Sequence, residues 1–167
     1  MTHINIHNNL LTNLPAGIKG LTKLEYLNLQ ENKLKSLPDE IEHLSNLTRL
    51  YASNNQLEKL TPKIGELISL KELYLSNNDL KMLPEEIEHL SEIQILHLDW
   101  NSFSTLPKTF DKLNNLQILY LDNNQLKTSS KYFIGLKNLE CLRIHNNLLE
   151  KNELEKIKSF FSKIEVY

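Results

Sequence analysis

The chain has one cysteine, Cys141, so it can hold no internal disulfide and reads as a protein of a reducing compartment. Its 4 glycines form no Gly-rich phosphate loop. The HExxH and GxSxG patterns of zinc and serine hydrolases are missing too, which argues against an enzyme. No stretch approaches the roughly 20 apolar residues of a membrane span, and the opening MTHINIHNN has neither the basic nor the apolar region of a secretory signal. The net charge is −2 and the lysines are dispersed, whereas a nucleic-acid binder presents a clustered basic face. These absences predict one soluble, cytoplasmic unit with no membrane insertion, nucleic acid, cofactor or bound metal.

What the chain does have is a period. The skeleton LxxLxLxxNxL, spelled LEYLNLQENKL from Leu24 to Leu34, returns every 23 residues, and its asparagine recurs at Asn9, Asn32, Asn55, Asn78, Asn101, Asn124 and Asn147 without insertion or deletion. A unit of this length is one short strand plus a tight return, and it buries its apolar side only by stacking on its neighbours. In LxLxxN, Leu27 and Leu29 share one face of an extended strand while Asn28 takes the other. Past the strand the backbone turns with N–H and C=O groups left over, which an asparagine amide satisfies from inside. The seven asparagines are therefore read as a structural ladder. Leu37-Pro38 then ends strand pairing, and Ile41 and Leu44 at three-residue spacing suit a 3₁₀ return.

Departures from the pattern are local. In the third coil Ala52 replaces the inner leucine and Pro62 sits one place late, so a thinner, bent coil is expected there. Ser130 replaces the proline of the sixth, and Phe103 and Phe110 enlarge the fifth. Ile4 and Ile6 open the first coil with nothing upstream to cover it. That predicts a frayed end, a longer parent chain, or a weak homodimer through this coil, against a plain monomer. Residues 1–151 are assigned to the solenoid with seven strands, and 152–167 to a C-terminal cap. In the cap Asn152 is expected to begin a helix with Glu155 in support and Leu154, Ile157 and Phe161 on its inner face. The spacing of Phe161, Ile164 and Val166 predicts a vestigial eighth strand over Lys163 to Val166.

Outward strand positions line up in columns. The central column runs Asn5, Asn28, Tyr51, Tyr74, His97, Tyr120, Arg143, and the one before it His3, Tyr26, Arg49, Glu72, Ile95, Ile118, Cys141. The next two columns contain Asp99, Asp122 and His145, and then Trp100. Four of the 6 tyrosines, the single tryptophan and both arginines fall on these positions, and none of the 17 lysines does. Protein interfaces favour Tyr, Trp and Arg, and they avoid lysine because its ammonium is costly to desolvate. Ring stacking along strands spaced about 4.8 Å would explain the tyrosines alone. It does not explain the lysine gap. The expected binding centre is Tyr51, Tyr74, Ile95, His97, Trp100, Ile118 and Tyr120, with Tyr26 beside it and Arg49, Glu72, Asp99, Asp122 and Arg143 as charged surroundings.

Two catalytic or ligating arrangements are weaker. Cys141 and His145 alternate onto one face, as a remote hydrolase reading would need, but no third residue or oxyanion donor accompanies them. Asp99 and Asp122 share a column with His145, yet two carboxylates fall short of the roughly six to eight oxygens calcium prefers.

The unit LxxLxLxxNxLxxLPxxIxxL, as in Leu24 through Leu44, resembles the leucine-rich repeat of the 23-residue LP type. The chain is similar in this to intracellular proteins of the Ras-suppressor and scribble type and to small bacterial leucine-rich repeat proteins. The resemblance implies an α/β fold, a right-handed horseshoe solenoid with a parallel sheet on the concave side, short 3₁₀ or irregular convex returns and a C-terminal capping helix. It also implies a scaffold that binds a protein partner. A composition rich in Asn, Lys and Ile points to a bacterial source, with a secreted effector lacking a signal peptide as the alternative to a cytoplasmic protein. A self-associating structural role is the runner-up.

Overall fold

A computed structural model describes residues 1–127 and 130–161. Seven strands, β1 His3–Asn5, β2 Tyr26–Asn28, β3 Arg49–Tyr51, β4 Glu72–Tyr74, β5 Ile95–His97, β6 Ile118–Tyr120 and β7 Cys141–Arg143, form one parallel sheet in chain order. Pairing is in constant register: Leu27 lies opposite Leu50, Leu50 opposite Leu73, and Leu73 opposite Leu96. The inner leucines of β2 to β7 are wholly buried, and each coil's apolar set covers the next. Truncating one of them to alanine leaves a cavity the stack cannot close, at about 2–5 kcal/mol.

The returns are 3₁₀ turns, as the three-residue spacing predicts. Asp39–His43 and Glu85–His89 each follow a proline held extended, Pro38 and Pro84, whose carbonyl accepts the N–H of Ile41 or Ile87. The prolines donate nothing themselves, so the chain leaves the sheet and tightens in one step. In the third coil Thr61 takes the capping place, its side chain accepting from Lys63 N–H, and Pro62 opens the turn Pro62–Glu66. The ladder continues past β3 at Ala52, whose N–H donates to the Tyr74 carbonyl at 2.8 Å. Stacked returns approach so closely that a Cβ at Gly65 would lie 2.5 Å from the Glu86 carbonyl oxygen, and one at Gly135 2.0 Å from that of Asp111. Glycine is required there for room.

One helix, α1 Lys151–Phe160, follows β7 and lays Ile157 on the last coil. Its N-cap is Glu150, not Asn152, and no side chain caps it. The start is drawn back because the Glu153 carboxylate accepts from the Ser130 N–H at 3.2 Å and its hydroxyl at 2.8 Å, tying the first turn to the sixth return. Asn152 is left exposed within that turn. Lys163 to Val166, read as a strand, lies outside the described residues.

Candidate binding face

Each ladder asparagine bonds both its own coil and the one before. Asn78 Nδ2 donates to the carbonyls of Leu75 at 3.0 Å and Ala52 at 3.1 Å, while its Oδ1 accepts the Leu57 N–H at 2.9 Å. Asn32, Asn55, Asn101, Asn124 and Asn147 repeat this pattern. Asn9 is the exception. It is exposed and bonds only the Ile6 and His7 carbonyls of its own coil, since no coil stacks before it among the described residues.

The residue before each ladder asparagine is in the left-handed region, with φ between 52° and 57° at Asn8, Glu31, Asn54, Asn77, Trp100, Asn123 and Asn146. Five of these seven are asparagine, the side chain that tolerates this conformation best. That column was legible in the sequence as a run of Asn-Asn pairs, although its backbone meaning was missed.

Across the sheet the aromatic side chains form a continuous pile. Centroids are 5.8 Å apart for His3 and Tyr26, 5.3 Å for Tyr26 and Tyr51, 4.5 Å for Tyr51 and Tyr74, 4.4 Å for Tyr74 and His97, and 4.1 Å for His97 and Tyr120. The pile changes column between Tyr26 and Tyr51, which column-by-column reading could not show. All but His3 are half-buried, as are Arg49, Glu72, Ile95, Asp99, Ile118 and Arg143. Arg49 lies over the Tyr26 ring at 5.4 Å and Arg143 over Tyr120 at 4.8 Å. The Tyr51 hydroxyl donates to Glu72 at 2.7 Å, and burial followed by that bond holds its phenol above the ordinary range. Burial also raises Tyr74 and lowers His97, which keeps the imidazole neutral within the pile at pH 7.

Asp122 departs from expectation. It is only 2% exposed and cannot offer its carboxylate to a partner as part of a charged rim. Its Oδ1 accepts the His145 N–H at 3.0 Å and lies 2.9 Å from His145 Nδ1, while Arg143 Nε stands 2.8 Å from Oδ2 but off the line of a good hydrogen bond. Burial nevertheless raises its pKa against the opposing pull of Arg143 and His145. His145 is turned to Asp122, with Nδ1 2.9 Å from Oδ1, and Cys141 is a free, half-buried thiol. Asp122 is likewise occupied, and among the described residues no three His, Cys, Asp or Glu side chains converge to hold a metal ion.

A solenoid of strand-and-return coils stacked on one parallel sheet defines the class of protein. A signature described as leucine rich repeat matches residues 1–57, and one described as leucine-rich repeat region matches residues 56–161; the chain belongs to the leucine-rich repeat family. The family's proteins are commonly protein-interaction scaffolds and generally not enzymes. The chain is similar to a leucine-rich repeat protein of Leptospira interrogans, with 30% identity and a TM-score of 0.66 over 99% of this chain and 54% of that one. It also resembles the ectodomain of the Arabidopsis thaliana membrane receptor kinase GASSHO1/SCHENGEN3, solved in complex with CASPARIAN STRIP INTEGRITY FACTOR 2. There the identity is 33% and the TM-score 0.81, over 89% of this chain and 19% of that one. An internalin of Listeria monocytogenes shares the fold at a TM-score of 0.85 and 21% identity, over 99% of this chain and 47% of that one. The chain thus spans about half the length of the Leptospira and Listeria structures, and less of the plant one. No curated protein matches it. No helix among the described residues is long and apolar enough to cross a membrane.

Proposed function

We propose that this protein is a binding module that recognises a protein partner on the open face of its sheet, centred on Tyr51, Tyr74, Ile95, His97, Trp100, Ile118 and Tyr120. The observation that carries the reading is segregation. Four tyrosines, the tryptophan and both guanidiniums fall on the outward strand positions of one face, and among the described residues no lysine does. A face built for stacking alone gains nothing from excluding lysine, whereas a face that must be desolvated does. The plant relative crystallised with CASPARIAN STRIP INTEGRITY FACTOR 2 supports the same reading, and the Leptospira relative supports a bacterial source.

The test is affinity capture from the source cell with wild type and with Tyr74→Ala/Tyr120→Ala, both checked for native circular dichroism. The recovered partner is then titrated against each. Binding lost in the double variant supports the reading. A partner that binds both equally, or that contacts the opposite side through Asp39, Glu42 and His43, overturns it.

A further inference from the structure

The sixth and seventh coils hold a complete small assembly. The Tyr120 ring, the Asp122 carboxylate two places on, and the Arg143 guanidinium of the next strand lie together, with Arg143 4.8 Å from the ring centroid and 2.8 Å from the carboxylate. One coil earlier the equivalent positions are His97, Asp99 and Tyr120. Ring and carboxylate are present there, and the guanidinium is not. Asp99 Oδ1 accepts the Ser76 hydroxyl at 2.6 Å, and among the described residues no cation pairs with this carboxylate.

Beside Asp99 stands Trp100, 59% exposed, where every tyrosine of the face is half-buried. Its φ of 55° puts a bulky side chain in the left-handed region at a place where five of seven equivalents are asparagine. It also interrupts a chain of rim amides. Asn77 Nδ2 donates to Asn54 Oδ1 at 2.8 Å and Asn146 Nδ2 to Asn123 Oδ1 at 3.0 Å, but Asn77 Oδ1 accepts from no described residue. Asn54, Ser76, Asn77, Asp99 and Trp100 line an open hollow of about 410 Å³. Folding favours asparagine at position 100. The indole is kept there at a cost to the backbone and left uncovered.

We propose that this hollow receives an arginine side chain of the protein partner, its guanidinium flat on the Trp100 indole and bonded to the Asp99 carboxylate, with Asn77 Oδ1 accepting a further N–H. The inference rests on the reading of this face as protein-binding. A planar, weakly hydrated guanidinium stacks on a ring and pairs with a carboxylate at once, which the compact, strongly hydrated lysine ammonium does less well. The chain itself brings a guanidinium to ring and carboxylate together at Tyr120, Asp122 and Arg143, as a cation–π contact and an ion pair.

A random heptapeptide display library selected on the intact protein tests this, followed by titration of the selected synthetic peptides. Trp100 is the only tryptophan, so indole fluorescence reads the hollow directly. The expected result is peptides sharing an arginine that shift the emission. Arginine to citrulline in the peptide, or Asp99→Asn in the protein, should each weaken binding about tenfold or more. Peptides that respond to Tyr74→Ala but not to citrulline or Asp99→Asn overturn the arginine site and leave the binding face standing. Failure to select any peptide sensitive to either variant overturns both.

Discussion

The Leu57 N–H donates to Asn78 Oδ1 at 2.9 Å, so the ladder asparagine of the fourth coil closes a bond on the third. Its amide also donates to the Ala52 and Leu75 carbonyls, which Asn55 and Asn101 share, whereas the buried Leu57 N–H has the Asn78 side chain as its acceptor. Asn78→Ala should cost about 1–3 kcal/mol, since buried groups left unmade carry their full desolvation penalty. Asn9, exposed and bonded only within its own coil among the described residues, should cost only about 0.5 kcal/mol on the same substitution. Urea denaturation of the two variants checks the contrast, and equal losses would refute an inter-coil role for the ladder.

Asp122 and Arg143 should respond unequally to removal. Burial raises the Asp122 carboxyl above its ordinary range, with Arg143 and His145 only partly opposing it. The folded chain therefore holds this proton more tightly than the unfolded one. Ionisation of Asp122 thus works against folding, and the loss sets in as pH rises from about 4 through the folded value. Asp122→Asn should leave stability at neutral pH unchanged or higher, with its advantage over wild type growing across that window. Arg143→Ala instead strands a buried carboxylate and should cost about 1–3 kcal/mol. Chemical denaturation from acid to neutral pH separates them, and a larger loss in Asp122→Asn would contradict this.

These two cases mark what the sequence could and could not convey. The 23-residue spacing of Asn32, Asn55 and Asn78 dictated strand positions, register and returns, because each coil meets neighbours of its own pattern. Asp99 and Asp122 look alike in their column, yet one is half-buried and the other enclosed. The difference comes from Arg143 and His145 in the following coil, a tertiary contact with no local signature. The start of α1 shifted to Glu150 for the same kind of reason, through Glu153 reaching Ser130. Which side chains share the sheet face was legible from alternation alone. The step of the ring pile from Tyr26 across to Tyr51 depended on side-chain directions that alternation does not specify.

His97 should act as an internal pH reporter. Burial lowers its pKa, and Arg143 adds to that, while Asp99 and Glu72 oppose it. The unfolded chain therefore binds this proton more readily, and between the folded value and about 6.5 stability rises with pH. The stability that neutral His97 contributes is lost as pH falls below about 6.5. His97→Phe keeps a ring between Tyr74 and Tyr120 without a titrating group, so it should lose less stability than wild type on acidification. A proton NMR titration should give His97 a midpoint below the ordinary histidine value of about 6.5. A midpoint at or above it would contradict the burial account.

Glu31 and Trp100 hold the left-handed φ that their five equivalents assign to asparagine, at 55° each. Replacing either with asparagine should stabilise the fold, by about 1 kcal/mol at most. Trp100 is 59% exposed, so little packing is given up in exchange. Thermal denaturation of Glu31→Asn and Trp100→Asn measures the gain. A lower melting temperature for Trp100→Asn would mean that the indole supports the fold and is not retained for contact.

The final expectation concerns how binding divides between the centre and edge of the face. Tyr74 packs between Tyr51 at 4.5 Å and His97 at 4.4 Å, so its ring is already ordered before a partner arrives and contributes contact with little further entropy to lose. Tyr74→Ala should weaken partner binding by about 2 kcal/mol or more, chiefly through faster dissociation. Arg49 lies at the margin over Tyr26 and makes no ion pair among the described residues, so Arg49→Ala should act on association rate and on its salt dependence instead. Surface plasmon resonance at two ionic strengths resolves the rates. Slower association in Tyr74→Ala with unchanged dissociation would move the energetic centre away from the ring pile and toward the charged edge.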